Sequence, residues 1–220
     1  MFDAFHHAGF TKSTSYEYFM LAVSLLAMVN MVIYVIPFTE QTNEIIIVID
    51  NFIALLFFTD FVVRFFSAPS KMRYFFIQFG WADLLASIPL IPFNIFRIFR
   101  IVRFLAISKK VGLHKIGKLM RHQFINTTMY GVFFLIILVL EFGSIGVLAI
   151  EHNAPNANII TANDALWWTF VSITTVGYGD LYPVTDAGRL IGVVTLTVGV
   201  GLFGVITGYV ANMFVHTKQN

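Results

Sequence analysis

The chain has 220 residues, of which 58% are hydrophobic, 16% aromatic and only 12% charged. Soluble domains carry about 25% charged and roughly 45–50% apolar residues, so this charge complement cannot coat a water-soluble enzyme, and disorder is excluded for the same reason. With no cysteine, disulfides, thiolate metal sites and cysteine nucleophiles are absent as well.

A bilayer-spanning helix needs about 20 apolar residues. Met1–Glu17, interrupted by Asp3, His6, His7 and Gly9, lacks a signal-peptide pattern and is expected as a short cytosolic lead or interfacial helix. Tyr18 to Ile36 is uncharged, closes at Pro37, and predicts a first span. Ile45 to Phe66 predicts a second that carries Asp50, Asp60 and Arg64. A third is expected from about Phe75 to Phe93, with Asp83 inside and Pro89 and Pro92 near its end. Asn94 to Ser108 is a fourth, arginine-bearing helix, and Lys109 to Gln123 is basic and amphipathic. Phe124 to Ile150 and Ala187 to Val215 complete six spans. Ala165–Gly179 lies between the last two, uncharged but too short to cross. It is expected to be re-entrant, because open backbone at that depth must be buried in protein or line water.

Lys and Arg are concentrated on one side of this plan. Lys12, Arg64, Lys71, Arg73, Lys109, Lys110, Lys115, Lys118, Arg121 and Lys218 share the side of both termini, whereas Arg189 stands alone on the other. Both termini are therefore expected in the cytoplasm of a cell-membrane protein, which requires an even number of spans.

Thr174-Thr175-Val176-Gly177-Tyr178-Gly179-Asp180 follows the stretch Asp164–Ile173. A short helix pointing its C-terminal end at a glycine-alternating strand suits a cation. Gly177 and Gly179 can take backbone angles closed to other residues, a ring of carbonyls replaces the water shell of potassium, and the helix dipole adds negative potential.

On these residues the chain resembles the voltage-gated potassium channel family, most closely its compact prokaryotic type, over nearly its whole length. The resemblance implies an all-α membrane protein of six transmembrane helices plus a re-entrant pore helix and selectivity filter, assembled as a homotetramer. Its parts would be a lead at 1–17, a voltage-sensor domain at 18–108, a linker helix at 109–123 coupling sensor to gate, and a pore domain at 124–220. Potassium would bind at Thr175, Val176, Gly177 and Tyr178, within a filter completed by Gly179 and Asp180. Trp167 and Trp168 would support the filter, and Gly199 would be the gate hinge. Glu151 matches a family acid that ties the fifth helix to the pore. Expected partners are the lipid bilayer, permeant potassium and further copies of the chain. No nucleic acid, small-molecule substrate or cofactor is expected.

Arg97, Arg100 and Arg103 recur every third residue, with Lys109 resuming the series after the neutral Ala106. Each costs several kcal/mol in the bilayer unless paired. Asp50 and Asp60 lie ten residues apart, close to three helical turns, and Asp83 supplies a third acid. Phe57-x-x-Asp60 with Asp83 resembles the family's charge-transfer centre. Three arginines in each of four subunits would supply about 28 kcal/mol per 100 mV, at about 2.3 kcal/mol per charge.

Three other readings compete. The arginines would be static ion pairs in a vestigial sensor. The chain would be a ligand-gated potassium channel of cyclic-nucleotide type without its cytosolic domain. Gly177-Tyr178-Gly179-Asp180 also fits the Gly-x-Gly-Asp signature of intramembrane aspartyl proteases, but those need a second aspartate in a Tyr-Asp pair, which this sequence lacks. Glu141, alone in the fifth span, stays open between pairing with a sensor arginine, protonation and facing a water crevice.

Overall fold

The structure, a computed structural model, describes residues 14–35, 40–77, 79–89, 95–99 and 124–217. Every regular element among them is helical: α1 (Thr14–Val35), α2 (Glu40–Ser67), α3 (Lys71–Ile77), α4 (Gly80–Leu85), α5 (Phe124–Glu151), α6 (Ala162–Ile173) and α7 (Asp186–Thr217). By length and composition α1, α2, α5 and α7 are long and apolar enough to cross a membrane. A 28-residue helix such as α2 is about 42 Å long, more than the ~30 Å of hydrocarbon. Acids mark the limits of these helices: Glu40 opens α2, Glu151 ends α5 and Asp186 opens α7.

Two expectations change. First, α1 begins at Thr14, four residues before the expected start at Tyr18, so Tyr16 and Glu17 are part of the helix. Second, the single span from about Phe75 to Phe93 is replaced, over its described part, by α3 and α4, of seven and six residues. Phe79 between them is left-handed, with φ 59°, which breaks the helical ladder. A non-glycine residue there costs about 1–2 kcal/mol. Ring packing offsets that cost: Phe79 stacks on Phe99 at 5.5 Å, and Trp81 meets Phe99 at 5.6 Å and Phe96 at 6.2 Å. Gly80 permits the fold-back, because a Cβ there would lie 2.7 Å from Cε1 of Tyr74. Of the fourth span, only a helical turn at 95–99 is described. Residues 90–94 and 100–123, with the linker helix, lie outside the described residues.

The described residues group into two compact units. The first holds 14–35, 47–77, 79–89, 95–99 and 124–130, and the second 40–46 and 131–217. In the first, Val23 and Ala27 of α1 and Ile53 and Phe57 of α2 are buried, and Tyr130 stacks on Phe19 at 5.5 Å. In the second, α6 is buried through Ala165, Trp168, Val171 and Ile173 and packs against α7.

Candidate functional site

In the second unit the site is built on α6. Thr161 caps it: its hydroxyl accepts from the Asp164 amide at 3.2 Å, and the Asp164 carboxylate accepts from the amides of Thr161 and Ile160 at 2.9 and 3.2 Å. This reciprocal box satisfies backbone donors left over by the helix start. Burial pushes the Asp164 carboxyl up, but the hydrogen bonds from Thr161 and Ile160 outweigh it and hold the group below its ordinary range. A depressed folded-state value gives stability that is present above the ordinary carboxylate pKa near 4 and lost as pH falls through the lower folded value. Asp164→Asn is therefore expected to lower stability by about 1 kcal/mol at neutral pH and to flatten the acid limb of a melting-temperature profile. An unchanged acid limb would contradict this.

At its other end α6 runs into the segment 174–180, which opens with a turn at Thr174 and Thr175. The Val176 and Gly177 amides both donate to the Val171 carbonyl, at 3.1 and 3.3 Å. Beyond that anchor the backbone alternates: φ is positive at Thr175 (60°), Gly177 (59°) and Gly179 (80°), and at neither Val176 nor Tyr178. In an ordinary strand successive carbonyls point to opposite sides. Reversing the handedness at every second residue cancels that alternation, so the carbonyls can line one side. Four such rows about an axis would coordinate a dehydrated cation, and the negative end of the α6 dipole favours it.

Side chains brace this segment. The Trp167 indole lies parallel to the Tyr178 ring (5.7 Å, 6°) and donates from Nε1 to the Asp180 carboxylate at 2.8 Å. Trp168 does not join them within the chain. It is buried, and its indole lies 3.7 Å from where a Cβ on Gly192 would sit. Glu151, at the end of α5, accepts from the Val184 amide (2.8 Å), the Thr185 amide (3.0 Å) and the Thr185 hydroxyl (2.6 Å). Gly199 lies against α6: a Cβ would come within 2.6 Å of the Ile173 Cα and 3.0 Å of its carbonyl oxygen. Close packing alone therefore requires glycine there, in a helix that runs unbroken from Asp186 to Thr217. One clasp escapes sequence reasoning. The Ser144 hydroxyl lies 3.0 Å from that of Thr169 and 3.3 Å from the Ala165 carbonyl, fastening α5 to α6. Its only sequence signal is a small polar residue inside an apolar run. Glu141 is fully buried, which removes the open water crevice as its setting.

In the first unit Arg97 is fully buried, its Nη1 3.2 Å from Asp50 Oδ1 and its Nε donating to the Ala86 carbonyl at 3.3 Å. The guanidinium lies 5.0 Å from the Phe57 ring centre. Asp50, Phe57 and Arg97 are thus brought together. Asp83 accepts from the Tyr74 hydroxyl at 3.0 Å. Asp60 accepts from the Tyr16 hydroxyl at 2.7 Å and from Arg64 Nε at 3.0 Å to both carboxylate oxygens. Arg64 also reaches Glu17 at 2.8 Å. Arg100, Arg103 and Lys109 lie outside the described residues.

A model of the ion transport protein family matches residues 13–220, and the chain belongs to that family. Among its relatives, a voltage-gated potassium channel of Aeropyrum pernix is 38% identical over 85 residues, covering 39% of this chain and 29% of its own length. The Shaker-related potassium channel tsha2 of Oncorhynchus mykiss is 29% identical over 189 residues, 73% of this chain and 38% of its own. The potassium voltage-gated channel protein shk-1 of Caenorhabditis elegans is 30% identical over 166 residues, 66% of this chain and 31% of its own. The chain thus spans about a third of the length of these relatives. They are ion channels and not enzymes, and the apolar helices fit a membrane protein.

Proposed function

We propose that the chain is one subunit of a homotetrameric, potassium-selective channel gated by voltage. The observation that carries this reading is the alternating handedness at Thr175, Gly177 and Gly179, placed at the C-terminal end of α6. In the tetramer the carbonyls of Thr175, Val176, Gly177 and Tyr178, with the Thr175 hydroxyl, replace the water shell of K⁺. Trp167, with Trp168 packed behind it on α6, keeps Tyr178 and Asp180 from collapsing inward. The exposed apolar side chains of α7, among them Leu190, Val193, Val200 and Phe203, give further copies and lipid a surface to cover. Arg97, Arg100, Arg103 and Lys109 carry the gating charge past Asp50, Phe57, Asp60 and Asp83. Residues 109–123 pass the movement to α7, and both termini face the cytoplasm. The pairing of a buried Arg97 with Asp50 favours voltage over a ligand as the stimulus, because a charge held inside the membrane plane feels the field.

The test is reconstitution into planar bilayers with K⁺ on one side and Na⁺ on the other, under voltage steps and ramps. The reversal potential is expected to follow the K⁺ gradient, and open probability to depend steeply on voltage. A reversal potential near zero would overturn the filter. Voltage-independent opening would overturn the sensor and leave the pore standing.

A further inference from the structure

Arg64 is a cation the moving series does not use. It sits on α2 one turn beyond Asp60, with its side chain 11% exposed beside a fully buried Asp60 side chain. Its Nε is equidistant from both Asp60 oxygens, at 3.0 Å, and its Nη2 reaches Glu17 of α1 at 2.8 Å. Tyr16, on the same first turn of α1, donates to Asp60 at 2.7 Å. The Asp83 carboxylate also acts on the Arg64 guanidinium electrostatically. Two carboxylates from two helices therefore hold one guanidinium, with Asp83 adding to the negative field around it, and the start of α1 is wired directly into the acidic cluster.

We propose that Arg64 is a standing counter-cation of this cluster: a positioning residue that orients Asp60 and sets how much negative charge is left for an arriving sensor arginine. Glu17 is its regulator, since each fraction of Arg64 engaged by Glu17 is withdrawn from Asp60. The inference rests on the voltage-gating reading. Fixed charges alter the energy of a mobile charge nearby without themselves crossing the field, so they move the midpoint of activation and leave its slope alone. Removing Arg64 makes the cluster more negative, holds sensor arginines more tightly at Asp60, and favours the resting arrangement. Removing the Glu17 charge acts in the opposite sense.

The experiment is the conductance–voltage relation of the full chain in planar bilayers, for the unaltered protein, Arg64→Gln, Arg64→Lys and Glu17→Gln, at about 0.1 and 1 M KCl. The expected results are a depolarising midpoint shift for Arg64→Gln, recovery of at least about half of it by Arg64→Lys, and a hyperpolarising shift for Glu17→Gln, all with unchanged limiting slope. The shifts should persist at 1 M salt, where exposed charges are screened within about 3 Å. Shifts of the same sign for Arg64→Gln and Glu17→Gln, or a lowered slope, or no shift at all, would overturn the proposal. Should Arg64→Gln fail to assemble, Glu17→Gln decides alone, by a hyperpolarising shift or its absence. Loss of voltage dependence in the unaltered protein would instead sink the voltage-gating reading, so the two failures are distinct.

Discussion

Gly177→Ala is expected to abolish potassium-selective current. The φ of 59° at Gly177 costs an L-residue with a Cβ about 1–2 kcal/mol, and in the proposed tetramer four copies would multiply this to about 4–8 kcal/mol. A Cβ at this position meets nothing within 4 Å in its own chain, so the penalty comes from handedness and not from an internal clash. Relaxation to a negative φ rotates the peptide plane and takes its carbonyl out of the coordinating row. Gly201 supplies the control, because its added Cβ also meets nothing within 4 Å, yet it lies within α7, where alanine is favoured over glycine by about 1 kcal/mol. Gly201→Ala should keep the reversal potential of the unaltered protein under opposed K⁺ and Na⁺. Retained selectivity in Gly177→Ala would show that the alternation does not organise the ion path.

Asp50→Asn should move the activation midpoint by about 40 mV in the depolarising direction. The substitution leaves the buried Arg97 guanidinium facing an amide, and stripping one partner from a buried ion pair costs about 3–5 kcal/mol. With the three arginines of the proposed sensor at about 2.3 kcal/mol per 100 mV each, the lower figure converts to about 40 mV. The direction follows from the place of Asp50 on α2. It stands two turns closer to Glu40 than Phe57 does, and in the proposed orientation, with Glu40 on the outer side, an Arg97–Asp50 pair would belong to the outward arrangement of the arginine stripe. Arg97→Gln should lower the limiting slope as well, because there the charge itself is removed. A conductance–voltage curve for Asp50→Asn that overlays the unaltered one would show the pair to be a static fastening.

These two sites differ in how openly the sequence declares them. The segment Thr175–Asp180 is legible because glycine at every second position announces an unusual backbone, and the structure places a left-handed residue at each of those steps and at Thr175 before them. Helix limits are legible wherever a charge or proline flanks an apolar run, as at Glu40, Glu151 and Asp186. The break at Phe79 is hidden: a left-handed aromatic has no signature, and its support comes from Phe99, twenty positions further along the chain. The Arg64 pair with Glu17 is hidden for a similar reason. A count of charges by side assigns both residues to the same aqueous face, and only the folded chain, which brings the start of α1 to the end of α2, turns two solvated groups into a bridge across 47 positions. Ser144 shows the same limit, since a hydroxyl in an apolar run does not say which helix it fastens.

The contact at Gly199 makes α7 a beam resting on a fulcrum. With its backbone set on Ile173, about 27 Å of helix extends towards Thr217 and about 20 Å towards Asp186, at 1.5 Å per residue. A swing of about 3 Å at the long end would drive the short end about 2 Å the opposite way, by the ratio of the arms. That short end begins one residue after Thr185, whose amide and hydroxyl are clasped by Glu151. In the proposed channel, leverage at the foot of the helix would thus be delivered to the segment held by Glu151, and the tightness of that clasp would govern how long the segment withstands it.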